Sequence, residues 1–135
     1  MGDPSAEHSS VDAQGICLPC AYTIETRAAA GGVTVLVLAG ELDLAAAPAL
    51  RETVGAARAG GARGLVLDMA EVRFVDSSAL RELLRASTAC EADGVPLVLG
   101  ALQPAVARLL ELTRTTDALA LTPTVEQALE RAAAG

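Results

Sequence analysis

The stretch Arg73-Phe74-Val75-Asp76-Ser77-Ser78-Ala79-Leu80 contains a change of hydrophobic period. Its first residues read as an extended apolar segment, and Leu80 begins a helical period that continues through Leu83 and Leu84. Asp76 stands at the junction, where a carboxylate can accept hydrogen bonds from the free backbone N–H groups of a helix start. The stretch therefore predicts an extended segment that leads directly into a helix capped by Asp76.

A hairpin is predicted upstream of this junction. Residues 22–27 alternate as a half-exposed strand does, Gly31-Gly32 provides a turn, and residues 33–39 form a strongly apolar strand. Short apolar runs at residues 65–67, 96–99 and 119–121 predict three more strands, the last of them at a sheet edge.

Four helices are predicted from apolar residues that recur at helical spacing. Their inward positions are Leu50, Val54 and Ala57; Leu80, Leu83, Leu84 and Ser87; Val106, Leu109 and Leu110; and Val125, Ala128, Leu129 and Ala132. Thr122 is expected to cap the last helix, with Pro123 at its first position.

The predicted order is β-β-α-β-α-β-α-(β)-α, which is typical of an α/β fold with mostly parallel neighbouring strands. We therefore expect a mixed sheet of four to five strands covered by about four helices. The 135 residues suit one domain, which we place at residues 22–135. Residues 1–21 show no lasting apolar period and are expected to form a flexible N-terminal tail.

Composition argues against several classes of partner. The net charge of −7 and the presence of only two aromatic residues, Tyr22 and Phe74, disfavour nucleic-acid binding. No apolar run approaches the length of a membrane span, and the N-terminus does not resemble a secretory signal. Three cysteines do not form a disulfide framework, so a cytoplasmic protein is expected.

Composition also disfavours catalysis. The chain contains no lysine, which excludes a P-loop lysine and Schiff-base chemistry. His8, the only histidine, lies in the polar N-terminal stretch, away from any nucleophile of the core. We expect no enzyme activity, no cofactor and no metal.

Local physics leaves two interpretations of Asp76-Ser77-Ser78 open. The segment is either an ordinary helix N-cap or a site where an exposed serine hydroxyl accepts a phosphate. The phosphate would then meet the positive end of the helix dipole.

Four segments together resemble one family. Gly40-Glu41-Leu42-Asp43 is similar to the G-E-L-D signature of the STAS domain, which bacterial anti-sigma-factor antagonists and sulfate-transporter tails share. Leu65-Val66-Leu67-Asp68 and the segment from Phe74 to Leu80 resemble the V-L-D-L and F-x-D-S-S-G-L segments of that family. Gln103-Pro104-Ala105-Val106 resembles the start of its third helix. The resemblance extends from about Tyr22 to the C-terminus.

The resemblance implies partner switching in transcription regulation. An anti-sigma factor that is also a serine kinase would bind the unmodified chain, free a sigma factor and later phosphorylate Ser77, and a serine phosphatase would reset the switch. Carried over to this chain, Ser78 is the alternative acceptor, Asp76 the neighbouring cap and Asp43 a polar contributor to the same surface. Ala79 stands where the family has glycine, and its methyl group is expected to alter how closely a partner approaches.

Three further hypotheses come from the residues themselves or from related modules. Arg81, four residues after Ser77, is expected to share a helix face with it and to pair with its phosphate. A STAS module that is never phosphorylated, in a transporter or signalling scaffold, is the first alternative function. A small redox enzyme that uses the Cys17-Leu-Pro-Cys20 spacing is the second.

Overall fold

The structure is a computed structural model that describes Ser10–Val11, Cys17–Leu18 and residues 22–134. Strand β1 (Ser10–Val11) pairs antiparallel with strand β2 (Cys17–Leu18). The rest of the expected N-terminal tail, including Cys20 of the redox hypothesis, lies outside the described residues.

A five-stranded mixed sheet forms the centre of the domain, as predicted. Its strands stand in the order in which they occur along the chain, and only the first pair is antiparallel. They are β3 (Tyr22–Ala28), β4 (Val33–Leu42), β5 (Gly64–Val75), β6 (Leu97–Gly100) and β7 (Ala120–Thr122). A 3₁₀ turn at Ala30–Gly32 closes the β3–β4 hairpin, with Gly31 and Gly32 both at φ 78°.

Within residues 22–134, four α-helices cover the two faces of the sheet. They are α1 (Ala46–Ala59), α2 (Ser77–Ala92), α3 (Pro104–Leu112) and α4 (Val125–Ala134). Buried residues of α1, α2 and α3 pack with Leu36, Leu67 and other strand residues in the larger apolar cluster. Ala128 and Ala132 of α4 pack with Val35 and Val66 in the smaller one. Because successive strand residues point to opposite faces, the two clusters lie on opposite sides of the sheet.

Strand β5 is longer than the sequence pattern predicted. The apolar run at residues 65–67 and the extended segment at residues 73–75 are parts of one strand of 12 residues. Only its first part pairs with β6, which ends opposite Asp68, and the remainder continues alongside β4. Beyond the end of β6, the Gln103 side chain donates to the Ala70 carbonyl oxygen over 2.9 Å and fixes the entry to α3.

The predicted start of the last helix was wrong. Thr122 is the last residue of β7, and α4 begins at Val125. Thr124 acts as the cap, because its hydroxyl oxygen accepts a hydrogen bond from the backbone N–H of Gln127 over 3.1 Å. The two threonines are only two residues apart, and the Thr122 hydroxyl donates to the Thr124 carbonyl oxygen over 2.9 Å.

The buried face of α2 is also rotated from the predicted one. Leu80 and Leu83 are buried as expected, but Leu84 and Ser87 are only half-buried. The helix instead buries a set that continues through Ala79, Ala86 and Cys90. The reason is that α2 packs against the neighbouring helix α1 as well as the sheet, so its buried face is turned toward α1 and away from Leu84 and Ser87. No helix within residues 22–134 is long and apolar enough to span a bilayer.

Candidate functional site

The carboxyl ends of β4 and β5 lie side by side at one edge of the sheet. Leu42 stands opposite Val75 in the parallel pairing, and the backbone N–H of Asp76 donates to the Leu42 carbonyl oxygen over 2.9 Å. The segments that follow these strands therefore leave the sheet together. They bring Asp43, before α1, and Asp76, before α2, to one surface, which we call the switch edge.

Asp76 is the N-cap of α2, as predicted. Its backbone is extended, with φ −92° and ψ −179°, and its carboxylate accepts a hydrogen bond from the backbone N–H of Ala79 over 2.9 Å. The Asp76 carbonyl oxygen accepts the first helical bond, from the N–H of Leu80. Asp76 thus fixes the direction in which the first turn of α2 presents its side chains.

The two serines that follow Asp76 differ in accessibility. Ser77 is the first residue of α2 and is exposed, whereas Ser78 is half-buried. An enzyme that modifies a hydroxyl needs room to approach it, and the exposed Ser77 offers more of that room than Ser78. The amino end of the helix also favours a negative charge placed there.

Asp43 has a structural role at the switch edge. Its carboxylate oxygen accepts from the backbone N–H of Ala45 over 3.0 Å, and its carbonyl oxygen accepts from the N–H of Ala46 over 2.9 Å. These bonds turn the chain from β4 into α1 and leave the Leu44 side chain 70% exposed. Sequence reasoning missed Leu44, which stands between Asp43 and a run of three alanines and belongs to no apolar period that would have indicated its exposure.

The expectation for Ala79 was wrong. Its side chain is fully buried in the larger apolar cluster, with no exposed area. Because the methyl group points into the core, it does not reach a partner docked on the switch edge. The residue is a packing position of α2, which suits alanine as a good helix former.

Arg81 lies on the exposed surface of α2, one turn beyond Ser77. Within residues 22–134, it forms no ion pair. The neighbouring Arg85 is oriented differently, because its Nε lies 3.8 Å from the carboxylate of Glu82. Arg81 is therefore free to meet an anion at the start of the helix.

Glu82 is a buried carboxylate that sequence reasoning missed. It is 4% exposed, and its Oε1 accepts from Nε and Nη2 of Arg51 on α1 over 3.1 and 3.0 Å. The ion pair joins α1 to α2 just below the switch edge. In the sequence, this glutamate stands at helical spacing from Ala79 and Ala86. That spacing does not distinguish a buried glutamate from one that is exposed to solvent.

Comparison with known proteins places this arrangement in a family. A family model described as the STAS domain matches residues 26–128. Among solved structures, the chain is similar to an anti-sigma factor antagonist from Mycobacterium paratuberculosis, with 30% identity and a TM-score of 0.73. That match covers 82% of this chain and 93% of the other.

Two more distant structures share the fold. The Bacillus cell fate determinant SpoIIAA in its phosphorylated form is 21% identical, with a TM-score of 0.62 over 80% of this chain and 97% of that chain. The murine Slc26a9 anion transporter is 24% identical, with a TM-score of 0.66 over 77% of this chain and 18% of the transporter. The family match spans well over half of the residues, and the sheet order and helices agree with it. The chain belongs to the STAS domain family.

Proposed function

We propose that this protein is an anti-sigma factor antagonist, a binding protein without catalysis of its own, that changes partners through phosphorylation of Ser77. The observation that carries the proposal is the exposed hydroxyl of Ser77 at the start of α2, at the sheet edge that Asp43 and Asp76 share. The unphosphorylated form binds an anti-sigma factor that is also a serine kinase and thereby frees a sigma factor. A serine phosphatase removes the phosphate and restores binding.

The charge of the phosphate supplies the switch. A phosphoserine carries about −1.5 to −2 charge units at neutral pH. In the free protein this charge is tolerated, because it is hydrated and lies at the amino end of a helix. In a complex it would be desolvated beside Asp76, which is itself an acid. A penalty of about 3 kcal/mol weakens binding about a hundredfold, which is enough to release a partner.

Leu44 supplies the apolar part of the proposed interface. A side chain that is 70% exposed gains hydrophobic free energy when a partner covers it. Leu44 follows Asp43 directly, so it lies on the same loop of the switch edge. A partner that covers Leu44 therefore lies close to Ser77, so phosphorylation of Ser77 changes the affinity of that partner.

The comparisons support the role to different degrees. The Mycobacterium paratuberculosis protein, at 30% identity, is an anti-sigma factor antagonist. SpoIIAA exists in phosphorylated and unphosphorylated forms, so the fold accommodates the modification. An anion transporter shares the fold at 24% identity, so we keep as a second candidate a STAS module that serves as an interaction part and is never phosphorylated.

One experiment separates the two candidates. The purified chain is incubated with ATP and the serine kinase of its own cell, and phosphate is located by mass spectrometry. We expect the wild-type chain to carry one phosphate, on Ser77, and the Ser77→Ala variant to carry none. The matched control Ser78→Ala should be phosphorylated to the same extent as wild type.

Binding to the kinase is measured with the same variants. Ser77→Ala should stay bound to the kinase in the presence of ATP, and Ser77→Asp should bind more weakly. Phosphorylation of Ser77→Ala to the wild-type extent would show that the acceptor is another residue.

A further inference from the structure

The two edge strands of the central sheet differ in length. At one edge, β7 (Ala120–Thr122) has three residues, and very short edge strands protect a sheet from pairing with other chains. At the other edge, β3 (Tyr22–Ala28) has seven residues and pairs with β4 without a bulge. Among the strands that the structure describes, none pairs with the outer side of β3. A long, regular edge of this kind presents backbone N–H and C=O groups to which a further strand can bond.

The side chains of β3 leave this edge open. The strand contains no proline, and its two charged residues, Glu25 and Arg27, have opposite signs. Ile24 packs against the larger apolar cluster, so Glu25 and Arg27 lie on the other face of the sheet. Both side chains are more than half exposed there, and Nη2 of Arg27 donates to Oε1 of Glu25 over 3.0 Å. The edge therefore carries a carboxylate and a guanidinium side by side.

This pair of charges is complementary to itself. When two copies of β3 pair antiparallel with Thr26 at the centre, Glu25 of each copy stands opposite the partner's Arg27. The Cβ atoms of opposite residues are about 5 Å apart, which is within reach of both side chains. If the centre moves by one residue in either direction, Glu25 faces Glu25 or Arg27 faces Arg27, and like charges repel. The charges of β3 therefore favour one register of self-pairing.

We propose that two copies of this chain form a symmetric dimer through antiparallel pairing of residues 24–28 of β3. The pairing joins their two five-stranded sheets into one continuous sheet. The guanidinium of Arg27 has enough N–H donors to bond its own Glu25 and the partner's Glu25 together, so that four alternating charges lie across the seam. Thr26 lies on the two-fold axis between them.

The proposed pairing leaves both switch edges accessible. In each copy β3 is antiparallel to β4, and the two copies of β3 are antiparallel to each other. The parallel strands of the two copies therefore run in opposite directions, and their carboxyl ends, which lead to Ser77, lie at opposite ends of the joined sheet. The dimer does not depend on phosphorylation, so its test does not involve the kinase.

Charge reversal tests the interface and its register. The mass of the full-length chain is measured by analytical ultracentrifugation over a range of protein concentrations. We expect wild type to form dimers reversibly. Glu25→Arg and Arg27→Glu should each raise the dissociation constant about tenfold or more, because two attractive contacts become repulsive. An equimolar mixture of these two variants should form a mixed dimer, since every arginine at the seam then faces a glutamate.

Three further variants separate a specific contact from a general charge effect. Glu25→Arg combined with Arg27→Glu in one chain exchanges the two charges and should dimerise like wild type. The matched controls Glu126→Arg and Arg63→Glu make the same changes in net charge at exposed positions outside β3, and they should also dimerise like wild type. A wild-type chain that stays monomeric at every concentration would overturn the proposal. A dimer that both single variants of β3 leave unchanged would place the contact on another surface and would also overturn it.

A cysteine on the two-fold axis locates the pairing directly. In a chain with Cys17→Ser and Cys20→Ser, Thr26→Cys should form an intermolecular disulfide under mild oxidation, because opposite residues have Cα atoms about 5 Å apart. Thr23→Cys is the matched control, since the two copies of residue 23 lie about 20 Å apart in this register. Cys90 is fully buried and does not compete. Equal cross-linking through residues 23 and 26 would contradict the proposed register.

Discussion

Glu82 shows how one residue can couple two helices. Its side chain is 5% exposed, whereas that of its partner Arg51 is 62% exposed. If the ion pair is broken, water can hydrate the arginine, but the buried carboxylate loses a partner that water does not replace. Arg51→Ala leaves the carboxylate buried, and Arg85, whose Nε lies 3.8 Å away, is then its one remaining ion-pair partner within residues 22–134. We expect the free energy of unfolding to fall by about 1–3 kcal/mol, measured by urea denaturation.

Two variants test this explanation. Arg81→Ala removes an equally charged but unpaired arginine from α2 and should change stability by less than about 0.5 kcal/mol. Arg51→Ala combined with Glu82→Leu should recover part of the loss, because no charge is then left buried. A double variant that is as unstable as the sum of both single variants would contradict the coupling.

Cys90 makes stability depend on pH in the alkaline range. Burial raises the pKa of its thiol above the ordinary value of 9.0, the Asp93 carboxylate raises it further, and Arg58 opposes both. The folded protein then retains a proton that the unfolded chain releases. Stability from this group is therefore fully present below the ordinary pKa and is lost as pH rises above it. The free energy of unfolding, measured by urea denaturation from about pH 7 to 10, should fall more steeply with pH in wild type than in Cys90→Ala. Equal slopes would contradict the prediction.

The residues of the site differ in how far sequence could reveal them. Asp76 was predictable because a carboxylate before an apolar helical period is a cap signal that depends only on local geometry. Leu44 and Glu82 were not predicted, since their burial is decided by what folds against them. Ala79 was misplaced for the same reason: a small residue in the first turn of a helix fits equally well in a core and on a surface.

At the scale of elements, two glycines allow α4 to lie close to the sheet. A Cβ at Gly64 would stand 2.7 Å from the Ala132 carbonyl oxygen, and a Cβ at Gly100 would stand 3.1 Å from both the Thr124 carbonyl oxygen and the Ala128 Cβ. The first contact is shorter than a Cβ tolerates, and it is with backbone, which does not move aside easily. The axis of α4 is therefore fixed by glycines in the strands beneath it.

Substitution of these glycines should have graded effects. Gly64→Ala should lower the free energy of unfolding by about 1–3 kcal/mol, and Gly100→Ala by less, because its contacts are longer. Gly55→Ala is the control: it lies inside α1 with nothing within 4 Å of an added Cβ, so it should raise stability by about 0.5–1 kcal/mol. Thermal or urea denaturation measures all three, and a stable Gly64→Ala would show that α4 shifts freely.

The order of the strands and helices could be predicted from the sequence, but the residues at which some of them begin or end could not. Apolar periods gave the alternation of strands and helices, because burial on one face leaves a period in any strand or helix. The end of β5 was hidden, since its second half continues beyond β6 and is supported by Gln103, which is distant in sequence. The start of α4 depends on a choice between two threonines two residues apart, which only the turn after β7 decides.

For the molecule as a whole, α4 packs on the face of the sheet opposite α2, and its last turns lie beside Gly64, at the end of the sheet far from the switch edge. A charge at residue 77 should therefore act locally, because a close-packed apolar core separates the switch edge from α4. In Ser77→Asp we expect amide NMR shifts to change at residues 42–46 and 76–81 and to stay constant in α4. Shifts of similar size in α4 would indicate a global conformational change instead of a local charge effect.

The end of α4 has a practical consequence for protein engineering. Its last turns lie beside Gly31 and Gly64, at the sheet end opposite Ser77. A fluorescent reporter or a surface tether fused behind this helix would stand clear of the switch edge. One fused ahead of Tyr22 would start next to it, where β3 begins. Biosensors built on this domain should therefore be attached through the end of α4.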